Sequence, residues 1–344
     1  MKNFVYHRPA TLAMALPLLS EKWGPAELLG GGTDLLDRTK DYVSGPDVVV
    51  SLTGVDGAFR EIRSKGKEGV SLPEITIGAG VKLTDIAESK HLAAFPALTA
   101  AAGQVAGPQI RNMATLGGNL CQRNRCWYFR DEHVNCLLKG GKKCYAIDGE
   151  NQYHAIFTQA HPCVIVNPST LAVPLIALGA VAEIVGPKGK RELPVEKLYH
   201  APVKETQREH VLAPNEILTA VRFGGVGVPK AHDYRNASYE VRQKETSDWP
   251  LVQAAVAWQE GKGKPPKAVR VVLGHVAPTP LLSEAAAKAI EGKAVTEAVA
   301  AAAGEAACEG ARPLSQNGYK VQQLKVAVKR AVLLAAGAKP YWEG

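Results

Sequence analysis

No run in the sequence approaches the roughly 20 consecutive apolar residues that a bilayer-spanning helix needs, so membrane insertion is not expected. Aromatic residues make up only 6% of the 344 positions, and the lysines and arginines behind the net charge of +8 are scattered. No helix-turn-helix, RNP-like or zinc-finger pattern accompanies that charge. An acidic partner or an anionic cofactor therefore explains it at least as well as nucleic acid does. A G-x-G-x-x-G fingerprint, the usual mark of a nicotinamide site, is also missing. The start of the chain is apolar around residues 12–19 but lacks the basic leader and small-residue cleavage site of a secretory signal. The default expectation is a cytoplasmic protein, or a periplasmic one if it is exported with a partner. The six cysteines are not spread as a disulfide framework would spread them, because four crowd into residues 121–144.

What is present reads as two or three domains with sizeable cores, at 46% apolar and 22% charged residues. Strand signals at 4–7, 27–29 and 47–52 alternate with helical ones in a small α/β unit, residues 1–58. A second unit, 59–223, has a strand at 75–78, helices at 83–89 and 93–106, a loop opened by Pro108, a strand at 162–166 and a helix at 171–180. A hairpin follows, pairing 181–185 with 191–194. Within this unit residues 121–154 are polar, basic and aperiodic, as an inserted loop would be. The glycine-rich stretch 224–229 is the linker candidate. Residues 230–344 place strands at 234–241, 252–258 and 269–273 before helices at 281–290, 296–308 and 319–334, the order of an α+β domain.

Two glycine loops carry chemistry. Leu29, Gly30, Gly31, Gly32, Thr33, Asp34 and Leu35 follow a strand, and Thr115, Leu116, Gly117, Gly118 and Asn119 follow a helix and loop. Consecutive glycines let backbone N–H groups converge into a concave nest suited to a diphosphate, and Thr33, Thr115 and Asn119 add short side-chain partners. Either loop taken singly could equally be a tight turn.

The spacing Cys121-x4-Cys126-x9-Cys136-x7-Cys144 offers four soft thiolates. Structural zinc favours closely paired cysteines, whereas this wider spacing suits a [4Fe–4S] cube; both remain open at this point. Arg123, Arg125, Arg130, Lys139, Lys142 and Lys143 outnumber Asp131 and Glu132 here, a surplus that would stabilise an anionic centre. Trp127, Tyr128 and Phe129 could shield it or simply dock the loop. Cys163 and Cys308 read as buried core thiols, and His133 and His154 as structural or solvent-facing.

Strand-GGGTDL, the Arg111-Asn112 pair and TLGGN, together with "HPCVIVNPSTLAVPLIALGA" (161–180), "LGHVAPTP" (273–280) and "ARPLSQNGYKVQQLKVAVKRAV" (311–332), resemble the FAD-binding subunits of the molybdenum hydroxylases over nearly the whole chain. The resemblance implies an α+β protein with a vanillyl-alcohol-oxidase-type FAD-binding fold of two α/β subdomains, plus a C-terminal domain of antiparallel sheet and helices. It implies that Gly30–Asp34 and Gly117–Asn119 wrap the FAD diphosphate, that Gln109 and Ile110 lie near the isoalloxazine, and that Ser169 and Thr170 stand where the family usually has a Ser-Asp pair. Ser169-Thr170 also fits a plain helix cap. "GGNLCQRNRCWYFR" and the cysteines after it resemble the subset with an inserted [4Fe–4S] loop, the flavin subunits of 4-hydroxybenzoyl-CoA reductase and above all of bacterial aldehyde oxidoreductases. Such a subunit is an oxidoreductase component with no catalytic residue of its own. It takes electrons from a [2Fe–2S] subunit, itself fed by a molybdopterin-containing large subunit, and passes them to an external acceptor. A stand-alone FAD-dependent reductase and a zinc-stabilised non-catalytic scaffold are the competing readings.

Overall fold

The structure is a computed structural model and describes residues 1–66, 72–159, 161–225, 233–244, 247–261 and 263–339. Three short strands, β1 (Val5–His7), β2 (Ala26–Leu29) and β3 (Val48–Ser51), pair in parallel in the order β1-β3-β2. The valines of β3 suit a central strand, and Val49 and Val50 are fully buried. Parallel neighbours need a crossover, which helix Leu35–Lys40 supplies between β2 and β3. The triple-glycine turn thus leaves the C-terminal end of β2, where open parallel sheets bind ligands.

A second sheet holds β4 (Ile62–Lys65), β5 (Glu74–Gly78), β6 (Val181–Gly186), β7 (Gly189–Pro194) and β8 (Ile217–Gly224), all antiparallel in the order β4-β5-β8-β6-β7. β6 alternates half-buried and buried residues, the period-2 pattern of a sheet with one covered face. Gly189, at φ +97°, begins the return strand of the β6–β7 hairpin. Between β5 and β6 the chain leaves the sheet, first for helices Leu83–Glu88 and Pro96–Gln104, which pack Leu83, Ile86 and Leu98 against Ile75 and Ile77.

The third sheet is antiparallel, β12-β11-β10-β9, from β9 (Tyr234–Arg242), β10 (Pro250–Gln259), β11 (Lys267–Gly274) and β12 (Leu281–Leu282). Helices Glu284–Ile290, Glu297–Ala306 and Tyr319–Ala335 cover one face. The Ser283 and Thr296 hydroxyls cap the first two, each such cap contributing about 1 kcal/mol. β10 is buried on both faces. Its Val252, Ala254, Val256 and Trp258 join the core under the C-terminal helices, while Ala255 and Ala257 join the core of the preceding sheet. Small residues on that second face let the C-terminal sheet dock closely against helix Ala172–Ala177.

Four local expectations are corrected. Residues 162–166 form no ladder; Val164 O and the Asn167 N–H bond instead to Ala155 and Ala277 on either side. Pro108 starts a one-turn helix, Pro108–Arg111, because proline is preset for the first helical position. Residues 281–282 extend β11's partner strand before the helix begins. The insertion is also no coreless loop, since Phe129, Cys136, Leu138, Cys163 and Ile165 form a small apolar cluster. Of the linker candidate, only Gly224 and Gly225 lie within the described residues. No helix among the described residues is long and apolar enough to cross a membrane.

Candidate functional site

The glycine turn after β2 and the turn opening helix Leu116–Cys121 face each other across one cleft, whose walls include Gly30, Gly31, Gly32, Thr33, Asp34, Leu35, Thr115, Gly117 and Gly118. The absence of side chains is structural as well as spatial. A Cβ on Gly31 would lie 1.9 Å from the Met113 carbonyl oxygen, and one on Gly30 2.8 Å from Thr115 Oγ1. Thr115 caps the second helix by accepting from the Gly118 N–H at 3.1 Å, and the Gly117 N–H is spent on Ala79 O at 2.8 Å. Gly32 sits at φ +80°, the left-handed region that glycine tolerates.

A second cavity continues the cleft past Thr33, Asp34, Gly118 and Gln122, and adds Ile110, Asn119, Thr170, Glu240, Asp248 and Trp249. The combined space is elongated, with a glycine-lined half and a half closed by the C-terminal domain. Leu29, Gln109 and Ser169 line neither half. Ser169 is buried, donating to Asn119 Oδ1 at 2.8 Å and accepting from the Ala172 N–H at 3.2 Å, so it closes the start of the following helix and ties it to Asn119. Lys82, Arg60 and His210 in the first half and Trp249 and Glu240 in the second were not signalled by any local motif.

Asp34 lines both halves of the cleft, and its carboxyl group is engaged by arginines. Its carboxylate takes Arg130 Nη2 at 2.6 Å, Arg125 Nη2 at 3.1 Å and Arg38 Nε at 3.1 Å. Burial alone would raise its pKa, yet Arg38, Arg130 and Arg125 outweigh burial and hold the carboxyl well below the usual range. The insertion's arginines are thus consumed as anchors rather than left as a free positive field. Arg125 and Arg130 also reach Asp37, and Arg123 pairs at 2.7 Å with buried Glu209, which accepts two further bonds from Asn124. The far end of the insertion is tied to the C-terminal domain. Asn151 exchanges bonds with Gln316, and the Lys320 ammonium donates to the carbonyls of His154 (3.0 Å) and His275 (2.7 Å).

The cysteine arrangement differs from the expected set at one position. Cys126, Cys136, Cys144 and Cys163 surround one small cavity with Tyr128 and Phe129 on its wall. Burial pushes the Cys126 and Cys136 thiols up, and the backbone N–H groups of Phe129 and Leu138 offset part of that rise. The Cys144 thiol is brought down, chiefly by the Cys163 thiol beside it, and the same contact raises Cys163. Cys121 has no such surroundings. It ends helix Leu116–Cys121 on the wall of the glycine cleft, and burial alone pushes its thiol up to about 12. Cys163 is buried in an apolar cluster, as expected of a core thiol, and also borders the cavity shared by Cys126, Cys136 and Cys144; Cys308 packs against the C-terminal core as expected. His133 is exposed, whereas His154 is buried with Nε2 3.2 Å from Cys126 Sγ. Among the described residues no group of three or more His, Cys, Asp or Glu converges as ligands of a metal ion. The four thiols border one small cavity.

Comparison with known proteins assigns both parts of the chain to known families. Residues 2–224 match the FAD binding domain in molybdopterin dehydrogenase, and residues 237–335 the CO dehydrogenase flavoprotein C-terminal domain. The chain is 34% identical over 294 residues to the aldehyde oxidoreductase FAD-binding subunit PaoB of Escherichia coli, covering 83% of this chain and 85% of that one. It is 27% identical over 335 residues to the carbon monoxide dehydrogenase medium chain of Hydrogenophaga pseudoflava, covering 96% of both. A solved carbon monoxide dehydrogenase structure from that organism superposes with a TM-score of 0.73 at 25% identity, covering 97% of each chain. The protein belongs to the FAD-binding subunits of the molybdenum hydroxylases and is one component of an oxidoreductase.

Proposed function

We propose that the chain carries FAD in the elongated cleft and a [4Fe–4S] cluster on Cys126, Cys136, Cys144 and Cys163, as the electron-transfer subunit of a three-subunit molybdenum hydroxylase that oxidises an aldehyde. The observation that carries the cluster is the convergence of four cysteine side chains on one small cavity. The aldehyde reading rests on the 34% identity to an aldehyde oxidoreductase subunit. The flavin, when bound, collects electrons that arrive singly and releases them in pairs.

The chain's own residues hold it. Gly30, Gly31, Gly32, Thr33, Gly117 and Gly118 leave room for the diphosphate, while Ile110, Thr170 and Trp249 border the cavity for the isoalloxazine. A molybdopterin-containing large subunit and a [2Fe–2S] small subunit are the proposed partners. The proposed units are residues 1–58, 59–223 with insertion 121–154, and 230–344. The test is the purified complex. Released FAD, flavin bands over a broad iron–sulfur shoulder and about four irons for this chain, the content of one such cube, support the reading. Zinc in place of iron would sink the cluster, and flavin without iron would favour a stand-alone reductase.

A further inference from the structure

Glu240, on β9, is buried to 2% side-chain exposure and lines the second cavity beside Ile110 and Trp249. Its two oxygens are unequal. Oε2 accepts from Arg242 Nε at 3.1 Å and Nη2 at 2.8 Å, whereas Oε1 is buried at the cavity without a hydrogen-bond partner. A buried bare carboxylate oxygen is costly unless it binds a proton or faces a donor.

We propose that Glu240 is the proton-holding residue of this cavity, its carboxylate taking up one proton from solvent when the flavin ring beside it is reduced and gains negative charge. This inference rests on the FAD reading given above. A flavin held here would gain negative charge on reduction, and a proton taken from solvent at Oε1 would offset one unit of it. The surrounding charges permit this poise. Arg242 on the same strand favours the ionised form. Across the cavity, Arg125 is already engaged by Asp34 and Asp37, and Asp248 adds a negative charge on the Glu240 side of the balance. Gln253, opposite on β10, and Gln104 on helix Pro96–Gln104 are neutral, and His275 is held neutral by burial. Burial pushes Glu240 up to about 7 against the pull of Arg242.

The test is the pH dependence of the flavin midpoint potential in the purified complex, compared with Glu240→Gln. The expected result is a change of slope near neutrality in the wild type that disappears in the variant, with flavin content unchanged. An identical slope change in both overturns the role of Glu240. Where the variant loses flavin or fails to fold, the wild type decides by reduced-minus-oxidised infrared spectroscopy. A protonated-carboxyl band gained on reduction and moved by isotope-labelled glutamate supports the proposal, and its absence overturns it. A wild-type complex that releases no FAD would instead overturn the functional reading on which the proposal stands.

Discussion

Arg130 Nη2 lies 2.6 Å from Asp34 Oδ1, joining the turn that begins at Cys126 to the end of the triple-glycine loop. Both side chains are largely buried, at 12% and 16% exposure. The two candidate cofactor sites are therefore parts of one hydrogen-bonded unit, because the helix turn that positions a proposed cluster ligand also locks the loop that shapes the flavin cleft.

Breaking this pair should damage both sites at once. Arg130→Met leaves a buried carboxylate short of one partner, a loss of about 3 kcal/mol in stability. Lower FAD occupancy and lower iron content are expected together, with a reduced Tm. The pH dependence follows from Asp34. Its folded pKa lies below the ordinary 3.8, so its contribution is complete above that value and is lost as pH falls toward the folded pKa. Acid unfolding of Asp34→Asn should lose that component. Wild-type and variant acid melts of identical shape would show that the carboxylate is not held as described.

Gly31 gives a sharper test of the cleft than Gly118. An added Cβ at Gly31 meets the Met113 carbonyl at 1.9 Å, whereas one at Gly118 meets only Thr115 Oγ1 at 3.0 Å. Gly31→Ala should cost roughly 1–3 kcal/mol by forcing the loops apart and abolish flavin binding. Gly118→Ala should fold with a near-normal Tm and bind FAD weakly. Full flavin occupancy in Gly31→Ala would show that this loop is only a turn.

The sequence discloses what is local. The glycine runs and the β6–β7 hairpin each announce themselves within a few residues, because the physics that fixes them acts over one turn. The cysteine set was legible only in part. Cys121 sits beside the others in the chain, but helix Leu116–Cys121 directs it to the cleft, while Cys163 arrives from an extended segment read as a buried strand. Trp249 and Glu240 carry no motif, and line the second cavity through the packing of the C-terminal sheet, whose Ala255 and Ala257 join the core of the preceding sheet. The basic surplus is plain in the sequence, but the pairing of Arg123, Arg125 and Arg130 with Glu209, Asp37 and Asp34 is not, since it depends on elements distant in sequence.

Lys320 should make stability rise with pH. It is fully buried, donates to backbone carbonyls and has no carboxylate partner among its hydrogen bonds, and burial brings its pKa from 10.5 down to about 7. Between these values the unfolded chain binds the extra proton, so unfolding free energy climbs by at most about 1.4 kcal/mol per pH unit. Lys320→Met should remove that slope, while loosening the hold on His154. Chemical denaturation at several pH values above neutrality measures it, and an unchanged slope would place the proton elsewhere.

Single serine replacements at the cysteines separate the proposed cluster set from its nearest rival. Cys126, Cys136, Cys144 and Cys163 share one cavity, so each replacement should cut iron well below about four per chain and bleach the iron–sulfur absorbance. Cys121→Ser should keep the iron, because that thiol is buried on the flavin side of helix Leu116–Cys121. Cys308→Ser should also keep it, since its sulfur packs at the C-terminal core near Val321 O. Flavin should survive in the Cys144 and Cys163 variants, whose backbones are remote from the glycine loops, and fall in Cys126→Ser if the Arg130 turn relaxes with it. Iron lost in Cys121→Ser but kept in Cys163→Ser would restore the four consecutive cysteines as the ligand set and overturn the geometry argued above.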